Sequence, residues 1–308
     1  MLRVARLYYI DGLEQGEIAK REQVSRPTVS RLLALAREQG FVSITVNDDL
    51  RDGQVLKEAL AQTYPTVAFT VVSTAQDDQK TKITKVGAAL AKDLQTIIKS
   101  GDIIGVGTGQ TVKSVAEQLE HKMVTDVEVL PLVGLCDNVD LPTYQAKIVA
   151  NFAQAYQAEP RSLPLPVVFT ELTAKEALEK EPYVRYLKKL GRLANVVVFS
   201  VEAIEKSALY QSGHYLGEDE KKLLADRGVA EVLAHFIDQE GQVVDQSLDQ
   251  RTATVSFKNL QYKDHVMVLV SDLKAVNGLA ALLKRQVITD VFIDQQSAQA
   301  LLELEGSV

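Results

Sequence analysis

Two sets of residues in this chain have the types and spacing that hold anions. The first is Arg26, Thr28, Ser30 and Arg31. Hydroxyls reach a phosphate at close range, and a guanidinium can fork onto guanine O6 and N7 in the major groove of DNA. An ordinary solvated helix face would mix Glu and Lys instead, and the alternative is a helical hairpin with incidental arginines. The second set is the loop Gly105-Val106-Gly107-Thr108-Gly109-Gln110-Thr111. Three glycines let the backbone curl close to an anion. Thr108 and Thr111 offer hydroxyls, and a helix starting there adds free N–H groups. The loop is not a Walker A loop, since no Gly-Lys-Ser/Thr follows. It also departs from the dinucleotide pattern GxGxxG, because Gln110 holds the third glycine position. No cofactor is read from it; the alternative is a glycine-rich tight turn without a ligand.

Other chemistry-bearing residues are more scattered. Arg251, with Asp249 nearby, precedes a strand-like segment in SLDQRTATV (247–255), and a surface ion pair would explain both. Lys274 follows a buried strand in VLVSDLKAVNGLAALL (268–283), although lone lysines are usually solvated. His121, His214, His235 and His265 show no metal-ligand spacing. Glu218, Asp219 and Glu220 open a helical pattern, where the helix dipole alone favours acids. No catalytic residue and no metal ligand is assigned.

The elements that position the first set read as a helix-turn-helix. LRVARLYYI (2–10) places Leu2, Ala5, Leu7 and Tyr9 or Ile10 at near-helical spacing, and Asp11-Gly12 breaks it. A short helix of roughly 15–22 carries Ile18 and the small Ala19 on one face. Val24 anchors the turn. Ser25 is a good N-cap, and Pro27 sits in a first turn, where its missing N–H costs nothing. Val29, Leu32, Leu33 and Ala36 form the buried stripe of a second helix ending at Gly40. FVSITV (41–46) alternates as a short strand, a wing or the exit to the body. NDDLRDG (47–53) is polar and turn-forming, so the boundary falls there, with a head of 1–50 and a body of 51–308. A helix of about 54–63 follows. It either pairs with its copy in a dimer or packs onto its own body.

The body alternates strands and helices. Strand-like runs are TVAFTVV (66–72), DIIGVG (102–107), DVEVLPLVG (126–134), LPVVF (165–169), NVVVFSV (195–201), HVMVLV (265–270) and TDVFID (289–294). Helical patterns occupy 80–100, 111–120, 143–157, 217–228, 279–286 and 297–304. VVVF and MVLV are apolar on both faces, as parallel strands between helices require. The alternation predicts an α/β, doubly wound, Rossmann-like sheet, whose ligands bind beyond the C-terminal strand ends.

Bulk properties agree. The chain has 308 residues, 46% hydrophobic and 24% charged, which excludes general disorder and a single small module. No apolar run approaches the ~18 residues of a membrane span, and the N-terminus shows no secretory h-region. A single cysteine, Cys136, excludes an internal disulfide framework and fits a reducing cytosol. The net charge of −7 argues against non-specific coating of nucleic acid, but it is uneven. Residues 1–46 carry seven basic and five acidic side chains, a net +2, which leaves −9 for the rest. A basic head on an acidic body suggests two partners, one of them polyanionic.

Several strings carry a family resemblance. VSRPTVSRLL resembles the recognition helix of several bacterial repressor families. Together with ARLYY, GDIIGVGTGQT, RSLPLPVVF, SGHYLGEDEKKLL, DQRTATV and the C-terminal ITDVFIDQQSAQALL, it makes the whole chain similar to the SorC family of bacterial sugar-responsive transcription regulators. RSLPLPVVF and SRPTVSRLL look most like the deoxyribonucleoside regulators within it. The resemblance implies a homo-oligomeric, cytoplasmic, operator-binding protein, a repressor, whose affinity for double-stranded DNA is set by a phosphorylated sugar. It implies that Arg26, Pro27 and Arg31 face base edges while Ser25, Thr28 and Ser30 hold the DNA backbone. It implies further that Gly107, Thr108, Gly109, Gln110 and Thr111 bind phosphate with Lys274, and that Gly134 and Arg251 line the same pocket. Two departures stand out. Ser271-Asp272 replaces a Gly-Gly pair before the lysine, so Asp272 puts negative charge beside the expected anion site. The loop LPLVGLCDN (130–138) has no lysine or arginine, so it cannot form a Schiff base. The alternative is a working isomerase or deaminase, because the body resembles a sugar-binding domain that is related to such sugar-phosphate enzymes. Ser212-Gly213-His214 is similar to a Gly-His segment of those deaminases. Tyr210 and Gln211 precede it, however, with no acid in the general-base slot, so His214 reads as structural or pocket-lining.

Overall fold

The computed structural model describes residues 1–42, 49–74, 77–136 and 144–306, and the chain divides into two compact units, Met1–Asp48 and Asp49–Val308. The first unit holds helices α1 (Leu2–Tyr9), α2 (Gln15–Arg21) and α3 (Arg26–Glu38). A capping box opens α2: the Glu14 backbone N–H donates to the Glu17 carboxylate at 3.0 Å. Ser25 caps α3 by accepting the Thr28 N–H at 3.3 Å, and Pro27 sits in the first turn. Gly40, at φ +74°, ends it in the left-handed region that glycine enters without cost. Val4, Leu7, Ile18, Val29, Leu33 and Ala36 pack together as the core of this unit. Leu2, and both Tyr9 and Ile10, which the spacing places on the helical stripe with Ala5 and Leu7, are exposed. The inward stripe of α1 runs through Val4, Ala5 and Leu7, which puts the two ends of this short helix at the rim. The wing or exit strand expected over FVSITV lies mostly outside the described residues.

The second unit begins with α4 (Asp49–Thr63), so helix replaces the expected turn from residue 49 onward. Leu60 is fully buried in the body, with Leu56 packed beside it. There follow β1 (Ala68–Val72), α5 (Gln79–Ile97), β2 (Ile103–Val106), α6 (Gln110–Ala116), β3 (Glu128–Pro131) and α7 (Gln145–Ala155). Next come α8 (Leu172–Leu178), α9 (Pro182–Leu193), β4 (Val196–Glu202), α10 (Ala208–Gln211), α11 (Glu218–Arg227), β5 (Ala230–Val232) and β6 (His235–Ile237). The chain closes with α12 (Gln246–Arg251), α13 (Phe257–Leu260), β7 (His265–Val270), α14 (Val276–Leu283), β8 (Asp290–Asp294) and α15 (Gln295–Glu305).

Six strands form a parallel sheet in the order β1-β8-β7-β4-β2-β3. The hairpin β5–β6 attaches antiparallel to the end of β4. Side chains alternate between two buried layers. Val196 and Val198 of β4 pack with α5, α6 and α7, while Val197, Phe199 and Val201 pack with α4, α14 and α15. Burying each such side chain contributes ~1.5–3 kcal/mol, so apolar runs without polar interruption settle into the middle of the sheet.

One expected strand does not form. LPVVF makes only isolated bridges, Leu135 to Pro166 and Val168 to Thr252. Pro164 and Pro166 lack the N–H that a ladder needs. Likewise β3 stops at Pro131, short of residue 134. The hairpin β5–β6 and the amphipathic α9 were not expected.

Candidate functional site

On α3, Ser25, Arg26, Pro27, Ser30 and Arg31 are exposed and Thr28 is half-buried, while Val29 and Leu33 point into the core. Neither Arg26 nor Arg31 enters an ion pair with a described residue. The Ser25 and Thr28 hydroxyls lie 2.8 Å apart, so both serve the start of the helix as well as facing solvent. The face thus presents two free guanidiniums over a fixed, capped helix.

In the body, the central strands β7, β4 and β2 end side by side, and chain order reverses there: β3 lies on one side of β2 and β4 on the other. Such a switch point opens a crevice beyond the carboxyl ends of the strands. The cleft found there holds about 300 Å³. One wall is Thr108, Gly109, Gln110 and Thr111, which run from the end of β2 into α6; the other is Ser200 and Glu202 from β4, Glu231 from β5, and Ser271 and Asp272 after β7. Gln79, Tyr144 and Lys206 are among the other residues that line it. Gly107 sits just behind, where a Cβ would come within 2.9 Å of the Phe199 Cβ; its N–H donates to the Val198 carbonyl at 2.8 Å. Gly109 has φ +103°, which lets the loop turn into α6. No described residue engages the Thr108 or Thr111 hydroxyl.

The cleft is electrostatically uneven. Burial, with Glu231 and Asp272 beside it, outweighs the hydrogen bond from Ser200 and pushes the Glu202 carboxyl up to about 7. Burial also raises Glu231, although the Ala234 N–H and Ser207 donate to it. Lys206 is ion-paired to Asp272.

Four residues that the resemblance assigns to this pocket lie outside its lining: Gly107, just behind it, and Gly134, Arg251 and Lys274. Gly134 is buried where a Cβ would strike the Pro166 carbonyl oxygen at 2.7 Å, and its N–H donates to the Ala253 carbonyl. It permits a close backbone crossing. Arg251 donates to the Phe169 carbonyl at 2.6 Å and pairs with Glu220, which also caps α11 through the Gly217 N–H. The expected neighbour Asp249 instead meets His235 Nδ1 at 2.5 Å, and the other His235 nitrogen contacts the Val255 carbonyl. Lys274 is exposed and pairs with Glu205 at 2.9 Å. His214 is exposed and lines no part of the cleft; its N–H donates to the Ser212 hydroxyl. Reading along the chain misses Glu202 and Glu231, because only strand pairing brings them to the loop.

Comparison with known proteins fits this architecture. The family model described as "Putative sugar-binding domain" matches residues 49–303. The Deoxyribonucleoside regulator of Bacillus subtilis is 32% identical over 301 residues, covering 98% of this chain and 96% of the relative. The Sorbitol operon regulator of Klebsiella pneumoniae is 23% identical, covering 98% and 97%. Among solved structures, a domain of a possible sugar-binding transcriptional regulator from Arthrobacter aurescens TC1 superposes with a TM-score of 0.73 at 26% identity, covering 81% of this chain and 97% of that one. The full-length Sorbitol Operon Regulator SorC from Klebsiella pneumoniae gives 0.73 at 21% identity, covering 98% and 97%, which shows the fold. A helix-turn-helix unit with a parallel α/β body is the architecture of SorC-type sugar-binding transcriptional regulators. The chain belongs to this family. These relatives are regulators, which removes the ground for reading the body as an isomerase or deaminase. Among the described residues no helix is long and apolar enough to cross a membrane.

Proposed function

We propose that this protein regulates transcription of a sugar or deoxyribonucleoside catabolic operon, as a repressor released by a phosphorylated sugar. A head of residues 1–50 grips double-stranded operator DNA, with Arg26, Pro27 and Arg31 at base edges and Ser25, Thr28 and Ser30 on the backbone. A body of residues 51–308 senses the sugar and joins copies into a homo-oligomer. Its phosphate rests on Gly107, Thr108, Gly109, Gln110 and Thr111. Lys274, Gly134 and Arg251, given to this site by resemblance, lie outside the cleft lining, so any part they play requires the loops to move. The observation that carries the reading is the cleft at the switch point, lined by a glycine turn and by two threonines whose hydroxyls no described residue engages.

Binding regulates only if the effector prefers one arrangement of the subunits, because differential affinity alone shifts an equilibrium. A two-fold dimer would set two α3 helices one DNA turn or a multiple apart. The test is a melting-temperature screen of the full chain against phosphorylated pentoses, hexoses and trioses. A ligand at 100 times its Kd adds ~2.7 kcal/mol. A gel shift follows, using a duplex selected from a random pool by the protein itself. A stabilising sugar phosphate that releases this duplex supports the reading. No stabilisation by any of them, or turnover of one, overturns it.

A further inference from the structure

The wall facing the glycine-threonine loop is acidic in a way that the fold alone does not require. Glu202 closes β4, and Glu231 stands directly opposite it in the antiparallel pairing with β5. Asp272 follows β7 in the same cleft. Like charges directly opposite on paired strands destabilise a sheet. Lys206 is the one basic side chain among the described residues that line the cleft, and it is already held by Asp272.

The two glutamates differ in what they hold. Glu231 accepts the Ala234 N–H at 2.7 Å and the Ser207 hydroxyl. It thereby fixes the hairpin turn, where Leu233 and Ala234 both take positive φ. Glu202 accepts the Ser200 hydroxyl at 2.9 Å. A carboxylate has about four acceptor sites, and among the described residues only Ser200 is seen to donate to it, in the cleft it lines. It also stands close to the loop: a Cβ on Gly109 would lie 3.2 Å from Glu202 Oε1. An anion seated on the loop therefore has a carboxylate for a near neighbour. Hydroxyl groups on the same ligand can donate to that carboxylate in a charge-assisted bond, whereas a second phosphate meets three acids offset by one occupied lysine.

We infer that Glu202 makes the cleft selective for a sugar monophosphate, accepting hydroxyls of the sugar and repelling a second phosphate. The inference rests on the reading of the cleft as a sugar-phosphate site. A structural role alone would be to accept from Ser200, which a glutamine can also do.

Isothermal titration of the full chain at pH 8, where Glu202 is ionised, separates these roles. A chelator is present, so that no divalent cation bridges acid and phosphate. The ligands are ribose 5-phosphate, 2-deoxyribose 5-phosphate, fructose 6-phosphate, fructose 1,6-bisphosphate and inorganic phosphate. Wild type should bind a monophosphate at least tenfold more tightly than the bisphosphate. Glu202→Gln should shrink that gap below threefold by weakening the monophosphate and strengthening the bisphosphate. Equal binding of mono- and bisphosphate by wild type, or an unchanged ratio in E202Q, overturns the inference while leaving the site intact. If no phosphate compound binds the folded wild type, the sugar-phosphate reading fails and takes this selectivity with it. Should E202Q not fold, the wild-type ratio decides alone.

Discussion

The α-carbon of Gly109 faces the carboxyl group of Glu202: a Cβ there would lie 3.2 Å from Oε1 and 3.6 Å from Ser200 Oγ. The backbone at Gly109, φ +103° and ψ 171°, belongs to a region reached essentially by glycine alone. Gly109→Ala should therefore cost about 1–3 kcal/mol of stability. It should also shift the loop off Glu202 and weaken sugar-phosphate binding at least tenfold. Urea unfolding and titration of the same sample check both. An alanine variant with wild-type stability and affinity would contradict the geometry of this loop.

Glu202 also sets a pH dependence of stability. Its carboxyl rises from 4.5 to about 7 on folding, chiefly through burial. The folded chain thus binds this proton more tightly than the unfolded chain, and stability falls as pH rises. The contribution is complete below about pH 4.5 and is lost as pH climbs through about 7. Each pKa unit is worth 1.36 kcal/mol, so the full span is on the order of 3 kcal/mol. Glu231 shifts in the same direction, and other groups titrate as well. The clean quantity is the difference between wild type and Glu202→Gln in urea unfolding from pH 5 to pH 8. The wild-type curve should fall more steeply, and parallel curves would show that Glu202 titrates normally.

What could be read along the chain depended on how local each signal was. The parallel strands were legible because VVVFSV and HVMVLV are buried on both faces and say so residue by residue. The α3 helix was legible because Ser25, Pro27 and Gly40 mark its ends by backbone chemistry. The hairpin β5–β6 was not. Its strands are three residues long, and its turn is Leu233-Ala234, held in positive φ by tertiary contacts where Asn or Gly would have announced it. In the cleft, the loop 107–111 carried its own signal. Glu202, Glu231 and Lys206 are ordinary charged residues until strand order brings them to that loop, and Arg251 looked available until Glu220 turned out to hold it.

That contact gives a prediction that separates architecture from ligand binding. Arg251 links α12 to the segment at Phe169 and to α11 through Glu220, and its side chain is 19% exposed. Removing a partner from hydrogen bonds to a charged group costs roughly 1.5–3 kcal/mol. Arg251→Ala should lower stability by about that much while leaving the effector Kd within threefold. Lys274→Ala should change stability little, since exposed ion pairs are worth ~0–1 kcal/mol. A large loss of effector affinity with unchanged stability in either variant would place that residue at the ligand.

Arg31 gives the sharpest test of the head. Ser25 and Thr28 are compromised as probes, because the Ser25 hydroxyl caps α3 by accepting the Thr28 backbone N–H and lies 2.8 Å from the Thr28 hydroxyl; losing the cap costs about 1 kcal/mol of fold. Arg31 is exposed and makes no ion pair with a described residue, so Arg31→Ala should leave stability within about 0.5 kcal/mol of wild type. If its guanidinium forks onto a guanine, the variant should lose about 1–3 kcal/mol of operator binding and accept other bases at one position. If it touches only phosphate, binding should weaken evenly across sequences and the salt dependence should flatten by about one ion. Selection of binding sites by both proteins at two salt concentrations tells these outcomes apart. An Arg31→Ala protein that binds as tightly and as selectively as wild type would remove this face of α3 from the DNA.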